Sequence, residues 1–156
     1  MLLRCLSAIG SIKAEMPIPA DYPVNPLTFA DHLLKRRMDL KLTQYEASIQ
    51  LKVTECSVFN WENSRSLPKV KHYPDIISFL GYNPFESEID TETLHGKLQW
   101  HRTRLGLSYR NLGRIIGVNG STIAEWEEGL RPIRPANLNK LVAWIMVSSL
   151  TSEVHP

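Results

Sequence analysis

Cysteine is scarce: Cys5 and Cys56 are the only two among 156 residues. Two cysteines so far apart build neither a disulfide framework nor a zinc knuckle, which favours a reducing compartment. Long apolar runs are also missing. No stretch approaches the roughly 18 residues needed to span a bilayer, so no membrane role is expected. The five histidines, His32, His72, His95, His101 and His155, never fall at i, i+3 or i, i+4 and never join a cysteine at ligand spacing, so no metal site is expected. Glycine-rich phosphate loops, G-x-S-x-G and H-E-x-x-H are absent. No segment alternates like a strand. Catalysis, a cofactor, a small-molecule ligand and a β fold therefore find no support in the residues.

The opening stretch MLLRCLSAIGSI resembles a secretion signal faintly, but Ser7, Gly10 and Ser11 break its apolar region and no cleavage motif follows. Residues 1–25, with Pro17, Pro19 and Pro23, read as a flexible arm, with Met16 a candidate start. Net charge is +2, and its distribution is uneven. Pro26 to Phe85 holds eight Lys/Arg against six Asp/Glu, and Gly96 to Val147 holds eight against three. Between them, Glu86 to His95 carries four acids and no Lys or Arg. Basic modules on either side of an acidic connector suit phosphate backbones, because the connector itself is repelled.

The strongest positive feature is a repeat. LTQYEASIQLKVTECSVFNWE, Leu42 to Glu62, returns without a gap 65 residues later as LSYRNLGRIIGVNGSTIAEWE, Leu107 to Glu127. Identities fall at Leu42/Leu107, Val53/Val118, Trp61/Trp126 and Glu62/Glu127. A repeat of this size indicates a duplicated module. In the first copy Thr28 with Asp31 and Thr43 with Glu46 form capping boxes, and Thr54 opens a third helix running to about Asn63. Phe29, Leu33 and Leu40 share one face; Ala47, Leu51, Val58 and Trp61 point inward; a fourth helix carries Ile76, Ile77 and Leu80 up to Gly81. In the second copy Leu94, Leu98 and Leu105 stripe the first helix, Ser108 and Asn119 cap the next two, and Leu112, Ile116, Ile123 and Trp126 face inward. Gly129, Pro132 and Pro135 end the third helix, and a last one from about Ala136 carries Leu138, Leu141, Val142 and Ile145. The expected fold is all-α, two tandem small helical bundles. The boundaries are an arm over 1–25, a first domain over 26–85, an acidic connector over 86–93, a second domain over 94–149 and a tail over 150–156.

Two short helices across a tight turn need a small side chain in the middle of the first helix, and Ser48 and Gly113 stand there. The turn favours glycine, because a positive φ is cheapest without a Cβ. Gly117 supplies it in the second copy, whereas Lys52 in the first must be slightly strained or accept the left-handed region.

With these positions in place, the chain resembles the phage-repressor and Cro-like helix-turn-helix family, also called the xenobiotic-response-element type. LKRRMDLKLTQYEASIQLKVTECSVFNWENSRSLP, Leu34 to Pro68, carries the family's L-T-Q and W-E-x-x-R-x-x-P pattern most fully. The second copy keeps the frame but has Tyr109 in place of the glutamine. The resemblance implies that the third helix enters the major groove. Its base-facing positions hold Glu55, Cys56, Phe59 and Asn60 in the first copy and Gly120, Ser121, Ala124 and Glu125 in the second. Asn60 suits adenine, Glu55 the cytosine amine and Phe59 a thymine methyl, while Gly120 and Ser121 discriminate little. The first module is therefore expected to specify and the second to anchor. Phosphate contacts are implied at Thr43, Gln44, Thr54, Asn63 and Arg65, and at Tyr109, Arg110 and Arg131.

Other residues have simpler readings. Trp61 and Trp126 each follow an inward residue by three and belong to the core. Glu62 and Glu127 pair with Arg37 and Arg102 as the family's bridge between helices rather than as catalytic carboxylates. Cys56 has no basic neighbour in sequence to activate it. The reading is a repressor-like, sequence-specific regulator of double-stranded DNA, cytoplasmic, of bacterial or phage type and nucleoid-associated when bound. A homodimer through the last helix, rich in Leu141, Trp144, Ile145 and Met146, is a further expectation. The alternative is an adaptor or antitoxin-like protein whose second helix-turn-helix presents a partner surface.

Overall fold

The computed structural model describes residues 21–86 and 89–152. Most of the arm, Cys5 and the last four residues lie outside them. Among the described residues eight α-helices follow in order: α1 Phe29–Asp39, α2 Gln44–Gln50, α3 Glu55–Glu62, α4 Tyr73–Leu80, α5 Leu94–Arg104, α6 Tyr109–Ile116, α7 Gly120–Glu127 and α8 Pro135–Ser152. A 3-10 turn, Val70–His72, leads into α4. No strand occurs among the described residues.

Local chemistry sets the helix starts. Thr28 and Thr43 form complete capping boxes with Asp31 and Glu46, and Thr54, Thr93 and Ser108 each accept a backbone N–H three residues on. Asp31 and Glu46 both have lowered pKa values, chiefly because their carboxylates accept the backbone N–H of Thr28 and Thr43. Asn119 stands at the N-cap of α7, but its side chain makes no capping bond.

The apolar residues gather into two clusters. Leu33, Ala47, Leu51, Val58, Trp61 and Ile76, with Phe79 and Leu80, form one. Leu98, Leu112, Ile116, Ile123, Trp126 and Leu141 form the other. Every member of the second stands 65 positions after a member of the first. Fully burying a side chain such as Leu98 or Ile123 stabilises by about 1.5–3 kcal/mol.

The structure corrects four expectations. Leu40 and Leu105 are exposed rather than inward, because each is the C-cap where the chain turns away. Buried Ala30 and Phe79 take up space the sequence left unassigned. Pro135 opens α8 instead of ending α7, since its missing N–H has no partner to lose at a first helical position. That helix continues to Ser152, past the expected boundary at 149. Among the proposed dimer residues Leu141 is fully buried, and Trp144 and Ile145 pack on the protein's own core. Met146 alone of that set is exposed, together with Val147 and Leu150.

Three corners take a left-handed backbone in each half. Lys41, Lys52 and Ser64 do so in the first, with φ of 56°, 54° and 55°, and Gly106, Gly117 and Gly129 stand at the equivalent places in the second. A non-glycine residue there costs on the order of 1–3 kcal/mol. Ser64→Gly is therefore expected to stabilise the protein by about 1 kcal/mol, seen as a raised urea midpoint at unchanged slope. An unchanged or lowered midpoint contradicts this.

The first helix of each half is tied to the last at one equivalent position. Arg36 donates through Nε to the Phe79 carbonyl at 2.9 Å. At the equivalent place the buried His101 meets Ser148 Oγ through Nδ1, also at 2.9 Å. Burial, assisted by the Arg104 charge, holds the His101 pKa below its ordinary value. Burial, then Lys71, does the same to His72. Both folded pKa values are depressed, so the unfolded chain binds more protons, and stability is full above the ordinary histidine pKa of about 6.5 and lost as pH falls below it. The melting temperature should drop between pH 7 and 5, with His101→Asn removing much of that slope. A variant whose pH profile matches the wild type contradicts the assignment.

Candidate nucleic-acid interface

In each half an ion pair ties the first helix to the end of the third. Arg37 donates through Nε and Nη2 to the Glu62 carboxylate at 2.6 and 3.0 Å, and through Nη1 to the Leu42 carbonyl at 3.0 Å. Arg102 repeats the arrangement on Glu127 at 2.5 and 2.7 Å and on the Leu107 carbonyl at 2.9 Å. All five guanidinium N–H groups point in a fixed fork, so one arginine orients the third helix and closes the loop before the second.

The residue after the second helix's cap completes this network. Gln44 Nε2 donates to Glu62 Oε2 at 2.8 Å. Tyr109 lies over the Arg102 guanidinium, 4.2 Å from the ring centroid. Burial, then the Glu127 charge, raises its pKa. Both residues were expected on phosphate, and both have an internal partner.

The helix-turn-helix corner depends on close backbone approach. A Cβ on Gly113 would lie 2.6 Å from the Val118 carbonyl oxygen. Ser48 fills the equivalent place by turning its hydroxyl onto the Tyr45 carbonyl at 2.7 Å. Gly120 has a further constraint: a Cβ there would sit 3.0 Å from Arg110 N. Its lack of a base-reading side chain follows from how tightly α7 meets α6.

On α3, Glu55, Cys56 and Phe59 are exposed and Asn60 is half-buried. Asn60 Nδ2 approaches Cys56 Sγ at 3.5 Å. The Arg65 guanidinium stacks on Phe59 at 4.8 Å, and Asn63 donates to the Phe59 carbonyl at 2.8 Å. Thr54 is committed to capping α3, and its hydroxyl also meets Ser57 at 2.9 Å; Thr43 is committed to Glu46. On α7, Ser121 is exposed, Ala124 and Glu125 are half-buried, and Glu125 accepts from Arg131 Nη1 at 3.1 Å.

Arg114 and Arg134 were missed by the sequence reading. Arg114 lies one turn after Arg110, already expected on phosphate, and both are exposed on α6. The equivalent places on α2 hold Tyr45 and Ile49, each 60% exposed. A cleft of about 230 Å³ between α7 and α8 is lined by Asn119, Thr122, Arg131, Arg134 and Asn137. The i, i+4 spacing of Arg110 and Arg114 was a readable signal; the cleft needed the docking of α8.

Residues 98–143, from α5 into α8, match a helix-turn-helix family model of the Cro and C1 repressor type. The chain thus carries a helix-turn-helix domain, the class found in DNA-binding transcriptional regulators. The match lies on the second copy, the one whose signature is the weaker in the sequence. Neither the curated proteins nor the solved structures give a match. No helix among the described residues is long and apolar enough to cross a membrane.

Proposed function

We propose that this chain is a sequence-specific, repressor-like DNA-binding regulator made of two helix-turn-helix modules in tandem, residues 26–85 and 94–152, that acts by occupying an operator or promoter. The observation that carries the reading is the matched helix-turn-helix at residues 98–143 with its exposed basic rim of Arg110, Arg114, Arg131 and Arg134. The tandem arrangement is supported by the core that recurs at a constant offset and by the two equivalent arginine clamps.

The division of labour follows from the side chains. Glu55, Cys56, Phe59 and Asn60 give the first module groups able to distinguish bases, with Ser121 and Glu125 contributing in the second. The second module supplies the phosphate contacts, through its arginines and the cleft before α8. Gln44 and Tyr109 act through the clamp and set the angle of the third helix, reaching phosphate only by leaving Glu62 and Arg102. A homodimer through α8 would use Met146, Val147 and Leu150.

A second reading has one observation in its favour. Tyr45 and Ile49 replace two arginines on the outer face of α2, which suits a protein partner better than a phosphate backbone. In that case the first module is the adaptor surface.

Selection of bound duplexes from a random pool decides between them. The wild-type chain should enrich one sequence, and Asn60→Ala should lose the preference at one adenine, at about 1–3 kcal/mol. Enrichment that Asn60→Ala and Phe59→Ala leave untouched favours the adaptor reading of the first module.

A further inference from the structure

Gly106 turns the chain between α5 and α6 with φ of 66°, and Lys41 makes the same corner in the first half with φ of 56°. The backbone conformation therefore does not by itself demand glycine at this place. What differs is the neighbour. A Cβ on Gly106 would come within 2.9 Å of both Cγ and Cδ of Pro74 and 3.3 Å of the Lys71 carbonyl oxygen. A pyrrolidine ring is rigid and cannot swing aside as a long side chain does. Pro74 lies at the start of α4 and Lys71 in the 3-10 turn before it, both in the other half of the molecule.

The rest of the junction is ordered on each side. Phe85 stacks between Tyr73 and Phe29, with centroids 4.5 and 5.4 Å away, which pins the exit from the first half. Trp100 Nε1 on α5 donates to Glu86 Oε1 at 3.2 Å. Helices α4 and α5 pack against each other.

We propose that the seat of Gly106 on Pro74 interlocks the two halves as one body with a fixed angle. The spacing between the two DNA half-sites is then set by this contact and not by the length of the connector. This rests on the DNA reading above. A loosely tethered pair accepts many separations, because its linker samples many geometries; a locked pair accepts one and has its ordering cost already met.

Two variants isolate the contact. Gly106→Ala adds both backbone strain and the collision with the ring. Gly106→Ala combined with Pro74→Ala keeps the strain but removes Cγ and Cδ. Calorimetry of the full chain should show one unfolding transition for the wild type, two for Gly106→Ala, and one again for the double variant. On duplexes carrying the selected half-sites at graded separations, the wild type should prefer one separation roughly tenfold over those half a helical turn away. Gly106→Ala should flatten that preference, and the double variant should restore it. If the two variants behave alike in both measurements, strain alone explains glycine at this corner and the interlock is wrong. If the wild type selects no DNA sequence, the DNA reading fails, while the calorimetric pattern still decides the interlock.

Discussion

Arg102→Ala is expected to destabilise the chain through its second half, by about 3–5 kcal/mol, because it strands the Glu127 carboxylate in a buried site. The side chains of this pair are 6% and 4% exposed. Removing the guanidinium also leaves the Leu107 carbonyl without its donor and takes the surface from under Tyr109. A domain of this size has only a few kcal/mol to lose. Arg37→Ala acts in the same direction with a smaller effect: Glu62 is only 3% exposed, but it keeps the Gln44 Nε2 donor at 2.8 Å, and the space vacated by Arg37, itself 16% exposed, borders solvent. Thermal melting followed by circular dichroism checks both, and an Arg102→Ala protein that melts like the wild type contradicts this account of the clamp.

The second large effect should fall on binding and leave the fold alone. Changing Arg110, Arg114, Arg131 and Arg134 together to glutamine removes four exposed charges. Of these, Arg131 has an ion-pair partner among the described residues, Glu125, and exposed pairs of that kind contribute about 1 kcal/mol or less. The melting temperature should therefore change little. Affinity for duplex DNA should fall at least about a hundredfold at moderate salt, and the dependence on log salt should flatten by about 0.9 for each phosphate that is no longer neutralised. A folded quadruple variant with wild-type affinity would move the interface elsewhere on the molecule.

Much of the scaffold was legible in the sequence because it rests on local chemistry repeated at one offset. The capping boxes at Thr28 and Thr43 and the inward Trp61 and Trp126 follow from local spacing and the repeat, and the pairing of Arg37 with Glu62 and Arg102 with Glu127 is what the family resemblance implied. Lys52 does take the left-handed backbone that the turn requires. Leu40 and Leu105 were misplaced because periodicity runs on past a helix end, whereas the chain there turns at Lys41 and Gly106. Pro135 was readable as a helix start from its preference for the first position. The bond between His101 and Ser148 was not legible, since it joins residues 47 apart through the docking of α8. The same is true of Gly106 against Pro74, where only the packed halves distinguish this glycine from Lys41. At the candidate interface the sequence named exposed side chains on α3 but missed Arg114 and Arg134. It also assigned Gln44 and Tyr109 to phosphate without their internal partners, which lie 18 residues away for Gln44 and across the clamp for Tyr109.

The central claim is tested most directly by titrating the full chain against its selected duplex and against a scrambled duplex of equal length, over a series of salt concentrations. The account predicts tighter binding to the selected duplex at every salt, with affinity for both falling steeply and linearly as log salt rises. Equal affinity for the two duplexes, or binding indifferent to salt, would contradict it.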